Sequence, residues 1–422
     1  MNTGKGGGFR ILAAIAWRNV FRNMRRTVLC IVAVAIAVFF TILMQSMIGG
    51  MVKSIEELVQ VFDTGHVSVV SAAFEADKEY LPVQHPAAGG RSAAELAAEI
   101  RAVPGVKAAL PRISAYATLQ DSTVKHAFLW GINIAEETAL NSFNATKRSD
   151  GLVAGRYPEA GSNECAIGTG MAGKTGLKIG DRIPLKTVSA QFSDKLWAPA
   201  ITGIFEYDYQ KYDKDIILVD FTRLQRLLVL GDAAQQIFVF AGEKGQSGAL
   251  AARLRDMLGE EDVVRDWRDN YFVSMMRQSM AIYMVVELVF LIVASFLIVN
   301  TVVMIIHERI KEIGMMGSLG MSRREIVAVF FFEAVFLSVL GALAGVLAGG
   351  IVTFTGSLFP LDFNAMTGGG FKEFPISGTL FLRFSADILL LSFFFGVLAA
   401  SICTLIPSLK SAFVEPVEAL RR

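Results

Sequence analysis

Four stretches of this chain stay apolar for longer than a helix in a soluble core usually does. Residues 27–52 contain no Asp, Glu, Lys or Arg, and Lys53 closes the run. Residues 288–306 are uncharged and follow the apolar stretch 280–286 and Glu287. Residues 326–361 are interrupted only by Glu333, and 388–409 carry no charge. A helix rising 1.5 Å per residue crosses roughly 30 Å of hydrocarbon in about 20 residues. The pattern therefore predicts a polytopic α-helical membrane protein with four transmembrane helices, at 27–52, 278–306 with an outer stalk, 326–356 and 386–409.

Between the first two spans the period changes. Residues 66–71, 216–219 and 236–241 read as strands, and 92–103 and 248–258 read as helices. Ser92, with Glu95 three residues on, has the pattern of a capping box. Residues 53–277 are thus expected to form a large extracytoplasmic α+β domain, a mixed sheet with helices on one face. A second outer segment, 357–385, is short and contains Gly368, Gly369 and Gly370.

Charge sets the orientation. Residues 1–26 hold Lys5, Arg10, Arg18, Arg22, Arg25 and Arg26 and no acid. The loop 307–325 holds Arg309, Lys311, Arg323 and Arg324, and the tail 410–422 holds Lys410, Arg421 and Arg422. Positive charge stays in the cytoplasm, so both termini and that loop are expected there. An amphipathic helix is expected within 1–26, and 53–277 is expected on the far side of the membrane. The first span is too long for a signal-peptide core and lacks a clear cleavage site, so it is read as an uncleaved anchor.

Composition narrows the chemistry. Charged residues make up 19% of the chain and net charge is +1, below the roughly 25% charged residues of a soluble protein and without the basic footprint of a nucleic-acid binder. Cys30, Cys165 and Cys403 are too dispersed for a disulfide within the outer domain. The four histidines have no metal-ligand spacing. No catalytic or metal site is expected. Residues 168–175 fit the phosphate-loop pattern Gly, four residues, Gly-Lys-Thr, and 216–220 imitate the strand that holds magnesium. A phosphate loop needs a long helix after the threonine. Gly176 and Gly180 follow instead, so the glycines are assigned to turns needing positive φ.

The loop 307–326 reads His-Glu-Arg-Ile-Lys-Glu-Ile-Gly-Met-Met-Gly-Ser-Leu-Gly-Met-Ser-Arg-Arg-Glu-Ile. Its charges, short apolar face, Gly320 stop and Ser322/Glu325 cap describe a short helix lying flat under the membrane. Such a helix is either an interfacial anchor or a plug for a groove on a soluble partner. Gly341, Gly345 and Gly349 recur every four residues and line one helix face. They permit close packing within the chain or against a second membrane subunit. Glu333 is read as a structural hydrogen-bonding group, and Glu287 as an interfacial residue.

These motifs resemble those of the FtsX/MacB-type ABC transporter permeases. Glu308-Arg309, Glu312-Ile313-Gly314, Leu319-Gly320 and Arg323-Arg324-Glu325-Ile326 match the family's cytoplasmic signature. Trp17-Arg18-Asn19 and the ending Glu415-Pro416-Val417-Glu418-Ala419-Leu420 are similar too. Within the family, Gly65-His66-Val67, Gly203-Ile204-Phe205, Tyr212-Asp213 and Asp266-Trp267-Arg268 resemble the lipoprotein-releasing LolC/LolE branch. The first span's exit, Gln45 to Gly50, departs from that branch.

The resemblance implies a non-enzymatic permease of a bacterial inner membrane that works with a second permease, identical or homologous, and a cytoplasmic ATPase dimer that holds the ATP and magnesium. It assigns ATPase coupling to Glu308, Arg309, Lys311, Glu312, Ile313, Gly314, Leu319 and Gly320. It implies extraction of a lipoprotein, or another outer-leaflet substrate, for delivery to a periplasmic carrier. The alternatives are MacB-like export of macrolides or peptides with a membrane-fusion protein, and FtsX-like signalling to a periplasmic hydrolase.

Overall fold

A computed structural model describes residues 5–22, 24–120, 124–140, 151–207, 210–308, 315–316, 318, 320–359, 361–362 and 379–411. It divides into two units, one of long helices and one built on a sheet.

Three helices among the described residues are long and apolar enough to cross a membrane: Thr27–Phe62, whose residues up to Gly50 belong to the helical unit, Arg323–Leu358 and Ala386–Cys403. Another helix, Tyr271–Glu308, runs for 38 residues and carries the uncharged stretch 288–306. Val34, Val38 and Ile42 pack with Ile326, Phe330, Ala342 and Ala400 into one buried cluster. A shorter helix, Lys5–Val20, lies against the helix Arg323–Leu358, with Trp17 edge-on to Phe336 at 5.2 Å. It is joined to the next helix by the Thr27 hydroxyl, which donates to the Val20 carbonyl.

The first long helix does not stop where its apolar run does. It continues without a break from Met24 to Phe62, 39 residues. Lys53 pairs with Glu57 one turn on, at 3.8 Å. Residues 53–62 contain no Gly or Pro, so nothing ends the helix before Asp63 and Thr64. Lys53 marks the end of the apolar stretch; Gly65, at φ +65°, turns the chain into the sheet.

The second unit is an 11-stranded mixed sheet. Its strands are β1 (Val67–Ser71), β2 (Val106–Leu119), β3 (His126–Ile132), β4 (Leu152–Gly155), β5 (Glu164–Gly168), β6 (Leu185–Val188), β7 (Asp194–Trp197), β8 (Ala200–Phe205), β9 (Ile216–Asp220), β10 (Gln236–Ala241) and β11 (Asp262–Asp266). The order is β11-β1-β10-β2-β3-β9-β5-β8-β4, with β6 and β7 as a hairpin on β2. Pairs β3–β9 and β5–β8 are parallel.

One sheet face is covered by helices. Ile237 and Val239 meet Leu96, Ile100, Leu250 and Leu254. Farther along, Ile113, Leu129 and Ile217 meet Met171 and Leu224. The opposite face is covered as well. Leu58, Val61 and Phe62, the end of the first long helix, seat on Ile132, Phe205, Ile216 and Leu218. Helices on one face alone was too simple an expectation, because β9 is buried along its whole length, so both of its faces need cover. The helix Ala93–Arg101 forms, but Ser92 makes no capping bond with its side chain.

Candidate functional site

The end of the first long helix is the most densely aromatic place among the described residues. Phe62 stacks on Trp130 of β3, with ring centroids 5.7 Å apart, and meets Tyr207 at 4.9 Å and Tyr212 at 5.1 Å. Phe205 lies 4.7 Å from Tyr207. Rings at such separations add roughly 0.5–1.5 kcal/mol per pair beyond their buried area. Tyr207 is fully buried, which pushes its hydroxyl well above the usual tyrosine range. That hydroxyl lies 3.3 Å from the hydroxyl of Tyr157.

The false phosphate loop helps to build this joint. Residues Thr169–Thr175 form only two helical turns, capped by Gly176 at φ +72°. A Cβ at Gly168 would stand 2.1 Å from the Asp213 carbonyl oxygen, and one at Gly170 3.1 Å from it. Gly168 itself has an ordinary φ of −73°. The expected positive-φ turns are found at Gly176 and Gly180 but not at Gly168, Gly170 or Gly173; at Gly168 and Gly170 room for the Asp213 backbone decides the residue. Asp213 in turn accepts the Tyr207 backbone N–H at 2.8 Å, which ties Tyr207 to the helix Gln210–Asp215 that carries Tyr212. Asp220, the imitation magnesium ligand, caps the helix Phe221–Leu227 through the Arg223 N–H and accepts a second bond from Gly161.

The entry to the helix Tyr271–Glu308 is similarly fixed. Asp266 accepts the Arg268 N–H at 2.9 Å and the Ser247 hydroxyl at 2.6 Å. Trp267 is buried with Ile55, Val59 and Val273. Asn270 donates to Asp63, just past the end of the first long helix. His66 accepts the Ala241 N–H at Nδ1, 3.0 Å, so β10 and the start of β1 are tied together. The motifs Gly65-His66-Val67 and Asp266-Trp267-Arg268 thus guide the chain into and out of the sheet.

A buried ion pair was invisible in the sequence. Arg112 on β2 and Glu137 are 2.6 Å apart and almost wholly buried, with the guanidinium 4.3 Å from the Phe238 ring centre. The two are 25 positions apart, and no periodicity signals such a contact. The β6–β7 hairpin, by contrast, carries exposed apolar side chains. Phe192, held at φ +56°, is 75% exposed and Leu196 70%.

In the helical unit the glycine stripe packs within the chain. A Cβ at Gly341 would lie 2.6 Å from Val34, one at Gly345 2.6 Å from the Ala35 carbonyl oxygen, and one at Gly349 3.1 Å from Ile42. Glu333 is buried in the same helix.

Of the coupling residues, Arg309, Lys311, Glu312, Ile313, Gly314 and Leu319 lie outside the described residues. Glu308 ends the helix Tyr271–Glu308, and Gly320 turns at φ +94°. Ser322 begins the next helix with a complete capping box: its hydroxyl receives the Glu325 N–H, and Glu325 receives the Ser322 N–H at 2.8 Å.

Two family models cover the chain. Residues 27–257 match the MacB-like periplasmic core domain, and residues 284–416 match the FtsX-like permease C-terminal. The LolC protein of the lipoprotein-releasing system of Xylella fastidiosa is 23% identical over 340 residues, covering 75% of this chain and 78% of that one. The macrolide export ATP-binding/permease protein MacB of Chlorobium phaeobacteroides is 25% identical over 220 residues, covering 50% of this chain and 31% of that one. The solved periplasmic region of MacB from Actinobacillus actinomycetemcomitans covers 53% of this chain and 95% of that one at 9% identity, with a TM-score of 0.34. The chain belongs to the FtsX/MacB-type ABC transporter permeases, and it is similar to LolC proteins along three quarters of its length.

Proposed function

We propose that this chain is a non-enzymatic permease subunit that carries ATP-driven motion from a cytoplasmic ATPase dimer to the sheet domain outside the membrane. In this reading it has four spans, the second within Tyr271–Glu308, and both termini and residues 307–325 are cytoplasmic. A second permease completes the transporter. The carrying observation is the unbroken helix Met24–Phe62, which contains the first apolar run and ends in the aromatic cluster on the sheet. A hydrogen-bonded helix passes on displacement along its axis, whereas a loop would absorb it.

The substrate in this reading is a lipoprotein taken from the outer leaflet and handed to a soluble periplasmic carrier. Likeness to LolC along three quarters of the chain supports it. The exposed hairpin side chains Phe192 and Leu196 offer an apolar contact for such a carrier. The match of residues 27–257 to the MacB-like core domain favours a second reading, export of a small amphiphile through a membrane-fusion protein.

Ser54→Pro tests the mechanics. Proline inside a helix removes a hydrogen bond and costs roughly 3 kcal/mol or more. In proteoliposomes with the ATPase, this variant should keep ATP hydrolysis and lose lipoprotein release, while Ser54→Ala keeps both. Full release by Ser54→Pro would sink the mechanical reading. Efflux of a macrolide with no lipoprotein release by the unmodified protein would select the second one.

A further inference from the structure

Beside the aromatic joint lies an open cleft of about 160 Å³ within the sheet domain. Phe128 and Trp130 of β3 and Phe238 of β10 line it, and Phe62 and Tyr212 stand at its wall. The charged groups at its border are already engaged. Asp63 meets Lys78 at 3.9 Å and accepts from Asn270, and Asp215 has a partner as well. The groups left to a ligand are neutral, and the Gln236 carboxamide is the chief one. Ile237 and Val239 serve the helix-covered face of β10, so Gln236 and Phe238 present their side chains to the cleft. Gln236 is only 5% exposed, yet among the described residues its carboxamide makes no hydrogen bond. Its neighbour Gln235 uses both ends, accepting the Ser114 N–H at 2.8 Å and donating to the Pro82 carbonyl at 3.1 Å. A buried polar group left without a partner costs stability, and native proteins keep few of them.

We propose that this cleft binds a small neutral amide carrying one ring-sized apolar group, and that Gln236 reads the amide. A carboxamide holds an acceptor and a donor side by side. The Gln236 carbonyl oxygen would accept the ligand's N–H, and the Gln236 amide N–H would donate to the ligand's carbonyl. A carboxylate leaves the first of these bonds unmade, and an ammonium leaves the second. The aromatic lining takes the ring. The size follows from the volume, since an apolar cavity of about 150 Å³ takes a molecule such as benzene. A full acyl chain or a macrocycle is larger than that. The ligand would rest against Phe62, the last residue of the helix Met24–Phe62, and so brace the aromatic joint. Its size separates it from the cargo, so the inference stands whether that cargo is a lipoprotein or an exported amphiphile.

The test titrates the purified full chain in nanodiscs with three matched probes, followed by fluorine NMR against empty nanodiscs: 4-fluorobenzamide, 4-fluoroacetophenone and 4-fluorobenzoate. The amide offers a donor and an acceptor, the ketone an acceptor alone. The amide should bind with saturation, roughly fivefold more tightly than the ketone, as one further hydrogen bond allows. The benzoate should bind no more tightly than the ketone. Gln236→Met keeps the length of the side chain and removes its polar end. It should abolish the preference for the amide and leave the melting temperature unchanged or raised, because no protein partner is lost. Phe128→Leu should weaken amide and ketone alike, by roughly two- to tenfold, and keep their ratio. The proposal is overturned by the absence of saturable binding, by equal affinity for amide and ketone, by tightest binding of the benzoate, or by an amide preference that survives Gln236→Met. A melting temperature lowered by Gln236→Met would overturn it too, since the carboxamide would then serve the fold.

Discussion

At the residue scale, small side chains and single carboxylates decide more than the large apolar ones. Gly345 faces the Ala35 carbonyl at a separation no Cβ tolerates, while Gly173 has nothing within 4 Å of where a Cβ would stand. Gly345→Val should therefore destabilise the detergent-purified chain by about 1–3 kcal/mol, the usual cost of overpacking. Gly173→Ala should be neutral or stabilising. Thermal unfolding of the two variants checks this, and equal melting temperatures would refute it. Glu164 illustrates a pH effect. The Arg156 hydrogen bond is the main cause that holds its carboxyl below the usual carboxylate range, while burial opposes it. A carboxyl lowered in the folded state contributes stability above its unfolded pKa and loses it as pH falls through the folded one. Glu164→Gln should remove that part of the acid sensitivity and leave the stability change between pH 7 and 8 unaltered; a stability–pH curve that keeps its shape below pH 5 would contradict it.

At the scale of elements, the helix Arg323–Leu358 is started by a local device, whereas the proposed coupling role of the loop 307–325 depends on a partner. The Ser322–Glu325 box closes the first turn from within four residues, and Ser322→Ala should cost about 1 kcal/mol of that helix end. Glu312 and Ile313 are assigned to the ATPase contact by resemblance and by helical spacing. A truncated or reversed charge in a buried contact costs roughly 2–5 kcal/mol, so Glu312→Lys and Ile313→Asp should each lower ATPase co-purification by well over tenfold. Retention of the ATPase by both would leave the loop as an interfacial anchor. The phosphate-loop pattern at 168–175 teaches the reverse lesson. Its letters fit a nucleotide site, yet its helix is seven residues long, and Gly168 and Gly170 make room for the Asp213 backbone.

At the scale of the whole molecule, the proposed topology follows from the placement of Lys and Arg around the apolar runs. Single cysteines at Lys125 and Ser322, in a background without the native three, test it in intact cells. An impermeant maleimide should label the Lys125→Cys variant and leave Ser322→Cys unlabelled until the membrane is opened. Labelling of Ser322→Cys in sealed cells would overturn the four-span reading. The native Cys165 should not interfere even if retained, since burial removes it from solvent and pushes its thiol up.

Much of this protein is written locally. Apolar length and charge asymmetry act within a window of about 20 residues, so the long helices and their expected orientation were readable from the chain alone. The capping box at Ser322 and the spacing of Gly341, Gly345 and Gly349 are equally local. What needed the tertiary structure depends on residues far apart in sequence. The glycine stripe allowed packing within the chain or against another permease, and only the folded helices put Val34, Ala35 and Ile42 opposite it. Lys53 ended the apolar run but not the helix, because charge interrupts membrane burial without breaking backbone hydrogen bonds. The Arg112–Glu137 pair and the aromatic joint of Phe62, Trp130, Tyr207 and Tyr212 arise from strand order and from the crossing of the sheet by the helix end. A strand's own pattern states which residues share a face; it does not state which distant element will cover that face.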